Sequence, residues 1–344
     1  MAAGNANPFL GWASGLLISE ETTYGTFVTG TSFIEFNTES LKNNRDEIPI
    51  DAINSQRGRT KRLTGGYTVE GSLEFPFNVA EDGNVILLKQ AMGGTVSSAT
   101  ITAGAYNHTI YAGDMENNAA TATASDVKSL SVSVRRGASS SSLNVFNFYG
   151  GRVNNITIKG EIGAPVVVSA DMIFQGSSTT ATSPAASFAN ILPLNFSGIE
   201  IQTGDSIGNV STEYFTGFEL AISNNLNGDQ RSLGSRNITV LPPQNRDVTL
   251  KLMQRFDTLT SYDRFIQNTL TAIKIICDAE QTITAGGSTY SMVIDVPEAY
   301  YNSNSPEVGG PDVLTHEVDL SALFNQSEGK DLSINIRNAT ANYE

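Results

Sequence analysis

"RGRTKRLTGGYTVEGSLEFPF", Arg57 to Phe77, combines two kinds of text. Arg57, Arg59, Lys61 and Arg62 place four positive charges within six residues. After Gly65-Gly66, which reads as a turn, the chain alternates. Tyr67, Val69, Leu73, Phe75 and Phe77 share one parity, Gly71 keeps the register, and Glu70 and Glu74 fall on the other. Period-two alternation is the mark of a half-buried strand. The segment before it, residues 42–63, is polar, aperiodic and carries nine charges in 22 residues. Unstructured connections of that length are rare in compact domains, so it is either an extended hairpin or a loop ordered by a partner.

The alternation recurs along the chain. "KSLSVSVRRGA", "SLNVFNFYGGRVNNITIKGEI" and "APVVVSADMIFQG" read as strands, and "NVILLKQAM" as a short helix. Val85, Leu87, Leu88 and Ala91 form its apolar face and Gly93-Gly94 ends it. The second half repeats the order. "EYFTGFELAISNN" answers "SFIEFNTES", and "LNGDQRSLGSRNITVLPPQ" answers residues 42–63. Val248, Leu250 and Leu252 match Val69, Gly71 and Leu73 in phase, a helix over 257–271 answers the first, and "VLTHEVDLSALF" answers "PVVVSADMIF" with Asp319 at the place of Asp171. The chain therefore reads as mainly β, with two similar β units, each with a short flanking helix. The units are residues 31–176 (with the long loop 42–64) and 201–344, separated by a Ser/Thr/Ala/Pro linker, 177–200, and preceded by an arm, 1–30. The arm's apolar residues, Phe9 and Trp12 among them, need burial on the same subunit or a neighbour.

The balance of 21 basic to 35 acidic residues gives a net charge of −14. That opposes the counterion-releasing grip on nucleic acid that clustered basic residues provide. It suits a surface along which DNA slides without sticking. The single cysteine, Cys277, sits in an apolar run and reads as a buried thiol. No apolar run reaches membrane-spanning length and no basic n-region opens the chain, so neither membrane anchor nor signal peptide is expected.

Chemistry is sparse. His108 and His316 stand far apart in strand-like text, without HxH, HExxH or CxxC spacing. No nucleophile elbow, Walker or Rossmann glycine pattern occurs. "DAINSQ" and "DMENNAAT" offer oxygens but lack the calcium-loop glycine and closing glutamate. Catalytic, metal and cofactor residues are therefore not expected. The basic cluster Arg57, Arg59, Lys61 and Arg62, with Arg45, reads as an intersubunit docking loop; a solvated loop and a nucleic-acid contact are the other two readings.

Two segments resemble the tail tube (major tail) proteins of long-tailed phages. The first is "RTKRLTGGYTVEGSLEFPFNVAEDGNVILLKQAMGG", carried by Gly65, Gly66, Gly71, Glu74, Phe75 and the helix at 83–94. The second is "VFNFYGGRVNNITIKGEIGAPVVVSADMIFQG", carried by Tyr149, Gly150, Val153, Asn154, Ile156 and Asp171. They cover about a fifth of the chain, and the doubled layout extends the resemblance across most of it. The second copy departs at "RDVTLKLMQRFDT", which lacks the counterpart of Gly71 and the "EFPF" step.

The resemblance implies a tail-tube-like β-sandwich or β-barrel fold in both units. It also implies self-association into rings, trimeric with pseudo-sixfold symmetry for a doubled chain or hexameric, stacked as a virion tail tube. Tail initiator, terminator and tape-measure proteins would be the partners. DNA would pass through the lumen without specific binding, with Glu70, Glu74 and Asp247 as candidate lumen acids. Assembly would take place in the host cytoplasm. Other readings are a baseplate or capsid-decoration protein, or a carbohydrate-binding module using Tyr149, Tyr300 and Tyr301.

Overall fold

The computed structural model describes residues 10–343 apart from 52, 54, 94, 112–127, 139–142, 181, 183, 257, 285–286 and 304–312. In the first half the described residues form strands β1 (Gly15–Glu20), β2 (Ser32–Ile34), β3 (Thr38–Glu39), β4 (Lys42–Pro49) and β5 (Arg62–Pro76). Helix α1 (Asp82–Met92) follows, then β6 (Thr95–Thr102), β7 (Ala105–Tyr111), β8 (Leu130–Ala138), β9 (Leu143–Glu161), β10 (Val167–Phe174) and β11 (Gly176–Thr180). The second half holds β12 (Ile199–Ser206), β13 (Asn209–Glu213), β14 (Phe215–Ser223), β15 (Asp247–Arg255), α2 (Thr260–Ile266), β16 (Thr271–Thr282), β17 (Thr289–Ser303), β18 (Thr315–Ala322) and β19 (Ser333–Asn338).

β5 is one continuous strand, so Gly65-Gly66 is not a turn. Both glycines serve close approach instead. A Cβ on Gly65 would lie 2.9 Å from Asp46 Cβ, and one on Gly66 would lie 2.9 Å from Arg231 Nε. The chain reverses farther out, between Pro49 and Arg62. β4 and β5 pair antiparallel from Lys42↔Glu70 to Pro49↔Arg62. Segment 42–64 is thus the extended hairpin. Gly71 has its own reason: a Cβ there would meet Ser40 O at 2.5 Å, where β3 hands over to β4 along the same edge of β5.

Burial follows the alternation. Val69, Leu73 and Phe75 are buried while Glu70 is exposed. α1 turns Val85, Leu87, Leu88, Ala91 and Met92 into the core and ends at Gly93, whose φ of 105° suits the left-handed cap. Within the segment read as an arm, β1 is a core strand, with Leu16, Leu17 and Ile18 fully buried between β2 and β8. Three consecutive apolar residues give no alternation because both faces of the strand are covered. Trp12 is 85 % exposed, and Phe9 lies outside the described residues. The strand β11, paired with β9, lies in the segment read as linker.

Each half pairs its strands in the same order. In the first, β2–β1–β8–β9–β11 run side by side, and β5–β10 join the far end of β9. In the second, β13–β12–β16–β17–β19 run side by side, and β15–β18 join the far end of β17. The halves meet where β9 pairs with β14 and where β19 pairs with β7. The chain's end also returns to the first helix. Tyr343 Oη donates to Asp82 Oδ1 at 2.7 Å, and Lys89 Nζ donates to Tyr343 O and pairs with Glu20 at 2.9 Å.

Glu81, which precedes α1, is buried. One of its oxygens accepts the Glu35 N–H at 3.2 Å; the other has no partner among the described residues. Burial pushes its carboxyl up to about 7. A raised carboxyl pKa favours the fold below the unfolded value, and that contribution is lost as pH rises to the folded value. Between pH 4.5 and 7 the protein should lose about 2–3 kcal/mol through this group. Urea unfolding of Glu81→Gln at pH 5 and pH 8 checks this: the variant gains on the wild type only at pH 8. An equal difference at both pH values contradicts it.

Candidate functional site: two open sheet edges and a charged face

Eight strands form one continuous antiparallel run: β4, β5, β10, β9, β14, β15, β18 and β17. One face of this run carries the core. The other is polar, and cross-strand pairs place its residues in rows such as Ser72, Asp171, Asn155, Ser223 and Asp247. From Lys42 to β18 that face holds eight acids: Glu70, Glu74, Asp171, Glu161, Glu219, Asp247, Glu317 and Asp319. It holds five bases: Lys42, Arg152, Lys159, Lys251 and Arg255. The excess is three negative charges.

Two of the bases pair with acids of the same face. Lys159 meets Glu161 at 2.8 Å, and Lys251 meets Glu317 at 2.9 Å and Asp319 at 3.9 Å. The hydrogen bonds these ammonium groups donate raise both of their pKa values, Lys159 to Glu161 and Lys251 to Glu317. A face of this kind repels phosphate and leaves few cations free to hold it. Sequence reasoning picked out Glu70, Glu74 and Asp247, which all lie here. It did not count Asp171, Glu161, Glu219, Glu317 and Asp319 among the lumen acids, although each lies in strand text that alternates with buried apolar residues in the same way.

The run has two ends. At one, every residue of β4 is exposed and, among the described residues, β4 pairs only with β5. At the other, β17 ends at Ser303, paired with β18. The hairpin beyond β4 carries the basic cluster, but much of its charge is met within the hairpin. Arg59 pairs with Asp51 at 2.8 Å, Arg62 pairs with Glu47, and Arg45 lies 3.8 Å from Glu47. Arg57 and Lys61 have no ion pair among the described residues. The base of the hairpin is held by the second half: Arg231 Nη2 donates to Tyr67 O at 3.0 Å, and the Tyr67 N–H to Arg236 O at 2.9 Å.

Two matching irregularities mark the halves. Between β9 and β10 the register jumps from Met172↔Val153 to Asp171↔Asn155, leaving Asn154 unpaired. Between β17 and β18 it jumps from Leu320↔Tyr301 to Asp319↔Ser303, leaving Asn302 unpaired. The aspartate beside each bulge accepts from the residue opposite: Asp171 from Asn155 Nδ2 at 3.3 Å, Asp319 from Ser303 Oγ at 2.7 Å. Bulges are built features that fix register. Counting from them, Met172↔Gly71 corresponds to Leu320↔Leu250, the phase read between the two strand sequences.

The remaining polar groups are structural. His108 is buried, with Nδ1 2.9 Å from Ser98 Oγ and Nε2 2.9 Å from Thr340 O. His316 is buried, 2.9 Å from Gln254 Nε2. Burial lowers both imidazole pKa values. Cys277 is fully buried and its thiol pKa is pushed up. No cluster of three metal-ligating side chains occurs among the described residues. Tyr301 is buried, so it cannot serve as a sugar platform.

The family model for phage tail tube proteins matches residues 11–322. No curated protein matches the chain.

Proposed function

The chain belongs to the phage tail tube protein family, and on that premise we propose that it is a doubled member, three copies of which close each ring of the tube. Family membership makes it a structural virion protein of the phage tail, one that assembles into rings and tubes and is not an enzyme. The doubling is supported by the shared strand order of the two halves and by the matched bulges at Asn154 and Asn302. On this reading the first unit runs through β11 and the second from β12, with the β6–β7 hairpin as an addition to the first.

The eight-strand run is the observation that supports the ring: among the described residues, β4 and the Tyr300–Ser303 end of β17 each have a strand partner on one side alone. Three copies joined edge to edge give 24 strands. At ~4.8 Å per strand the closed sheet has a circumference of about 115 Å and a backbone diameter of about 37 Å, widened further by strand tilt. Side chains reach inward about 5 Å on each side, leaving a bore of about 27 Å, room for a double helix. Two copies would leave about 14 Å, and six a barrel of about 73 Å between backbones. The polar face, with Glu70, Glu74 and Asp247, lines the bore and keeps DNA from sticking. The hairpin and the segment before β1 reach the neighbouring subunit or ring, with Arg45, Arg57, Arg59, Lys61 and Arg62 as the contact charges and Trp12 as an anchor. Initiator, terminator and tape-measure proteins complete the tail, which is assembled in the host cytoplasm. Electron microscopy of the purified protein tests this. Hollow tubes of stacked rings are expected; a chain that remains monomeric at high concentration overturns it.

A further inference from the structure

We propose that the open β3–β4 edge of one copy receives the end of β17 from a second copy, with Ser303 opposite Asn44 and Asn302 beside Arg45. This rests on the ring reading above and specifies its register.

The template lies inside the chain, where β9 of the first half pairs with β14 of the second from Glu161↔Gly217 to Asn155↔Ser223. The bulges convert one half into the other. Asn154 corresponds to Asn302 and Asn155 to Ser303. Through β5 and β15, Thr68 and Asp247 are equivalent, so Asn44 (opposite Thr68) corresponds to Ser223 (opposite Asp247) and Arg45 to Asn224. β9 has its partner in the chain, whereas β3–β4, the counterpart of β14, pairs only with β5 among the described residues. Exposed strand edges of this kind are ready templates for another chain.

Two details favour this register. Within the chain, the Asn224 N–H donates to the carbonyl of the bulged Asn154 at 2.8 Å. The equivalent donor, the Arg45 N–H, points away from β5 by parity, since the Ser40 N–H points toward it, donating to Ser72 O at 2.9 Å. It therefore faces the incoming Asn302 carbonyl. The second detail is a reciprocal exchange of side chains. In the chain, Ser223 Oγ donates to Asn155 Oδ1 at 2.6 Å. Across copies the serine and asparagine trade places, as Asn44 and Ser303, so the same hydroxyl–amide pair can form. A one-residue slip would turn Asn44 away from Ser303 to the opposite face.

Disulfide trapping tests the register, since paired Cα atoms in an antiparallel ladder lie about 4.5–5.5 Å apart, within bridging range. The buried Cys277 is left in place. Asn155→Cys/Ser223→Cys is the in-chain control and should close without changing the mass on a non-reducing gel. Asn44→Cys/Ser303→Cys should give, on mild oxidation, a covalent ladder ending at three chains. Asn43→Cys/Ser303→Cys should cross-link about tenfold less because its first cysteine faces the other side. A mixture of the two single variants, Asn44→Cys and Ser303→Cys, should stop at two chains. Rings that form while Asn44→Cys/Ser303→Cys links no better than Asn43→Cys/Ser303→Cys overturn the register but leave the ring intact. A protein that never forms rings, with the control closing normally, overturns both.

Discussion

Phe218→Ala should lower the free energy of unfolding by about 3–5 kcal/mol, the range for emptying a large aromatic site in a core. Phe218 is fully buried on β14 and pairs with Gly160 of β9, at the junction of the two halves. Its ring lies over the glycine: a Cβ on Gly160 would come 2.5 Å from Phe218 Cε1 and 2.8 Å from Ile199 Cδ1. The glycine backbone is held in register by the ladder and cannot move in to fill the space. The loss therefore combines transfer and cavity contributions, and it falls on the seam that makes one eight-strand sheet of two halves. Ala221→Thr, on the polar face three residues along, should change stability by less than about 0.5 kcal/mol. Urea unfolding of both variants measures this. A Phe218→Ala change under about 1 kcal/mol would mean that the halves are held elsewhere, at β19–β7.

Removing the hairpin should abolish tubes while leaving rings. Replacing residues 46–66 by an Asn-Gly turn joins Arg45 to Tyr67, which already face each other across the ladder. Every residue of β4 is exposed, and of the replaced part of β5 only Gly65 is buried, so little core is lost. The edge from Thr38 to Arg45, the proposed ring-closing edge, is kept. What disappears is the projecting part with Arg57 and Lys61, the two cations not matched within the hairpin, and with them contacts that salt should weaken. Electron microscopy and light scattering should find single rings in place of tubes. Tubes of ordinary length and yield would assign the hairpin to solvent.

Much of the architecture is legible in the sequence because strands buried on one face announce themselves by parity. Val69, Leu73 and Phe75 do so, and their phase with Val248 and Leu252 is the phase the bulges impose. The Gly93 stop is legible because only the left-handed cap suits that place. Gly65-Gly66 misleads because glycine marks both turns and close approaches, and nothing local reveals that Asp46 and Arg231 crowd it. β1 is hidden because a strand covered on both faces does not alternate. The pairing of β9 with β14 and of β19 with β7 is beyond any periodicity, since register across 60 to 230 residues is set by the packed whole. The acidic face is half legible: parity gives the side on which Glu70 and Asp247 sit, but only the sheet order brings Asp171, Glu219 and Asp319 into the same surface.

The most direct test of the ring is the number of chains in it. End-on averages of the assembled tube, or the native mass of an isolated ring, should give three chains and six near-equivalent lobes alternating between the two halves. A ring of six chains, or of any number other than three, would contradict closure of the eight-strand sheet in threes.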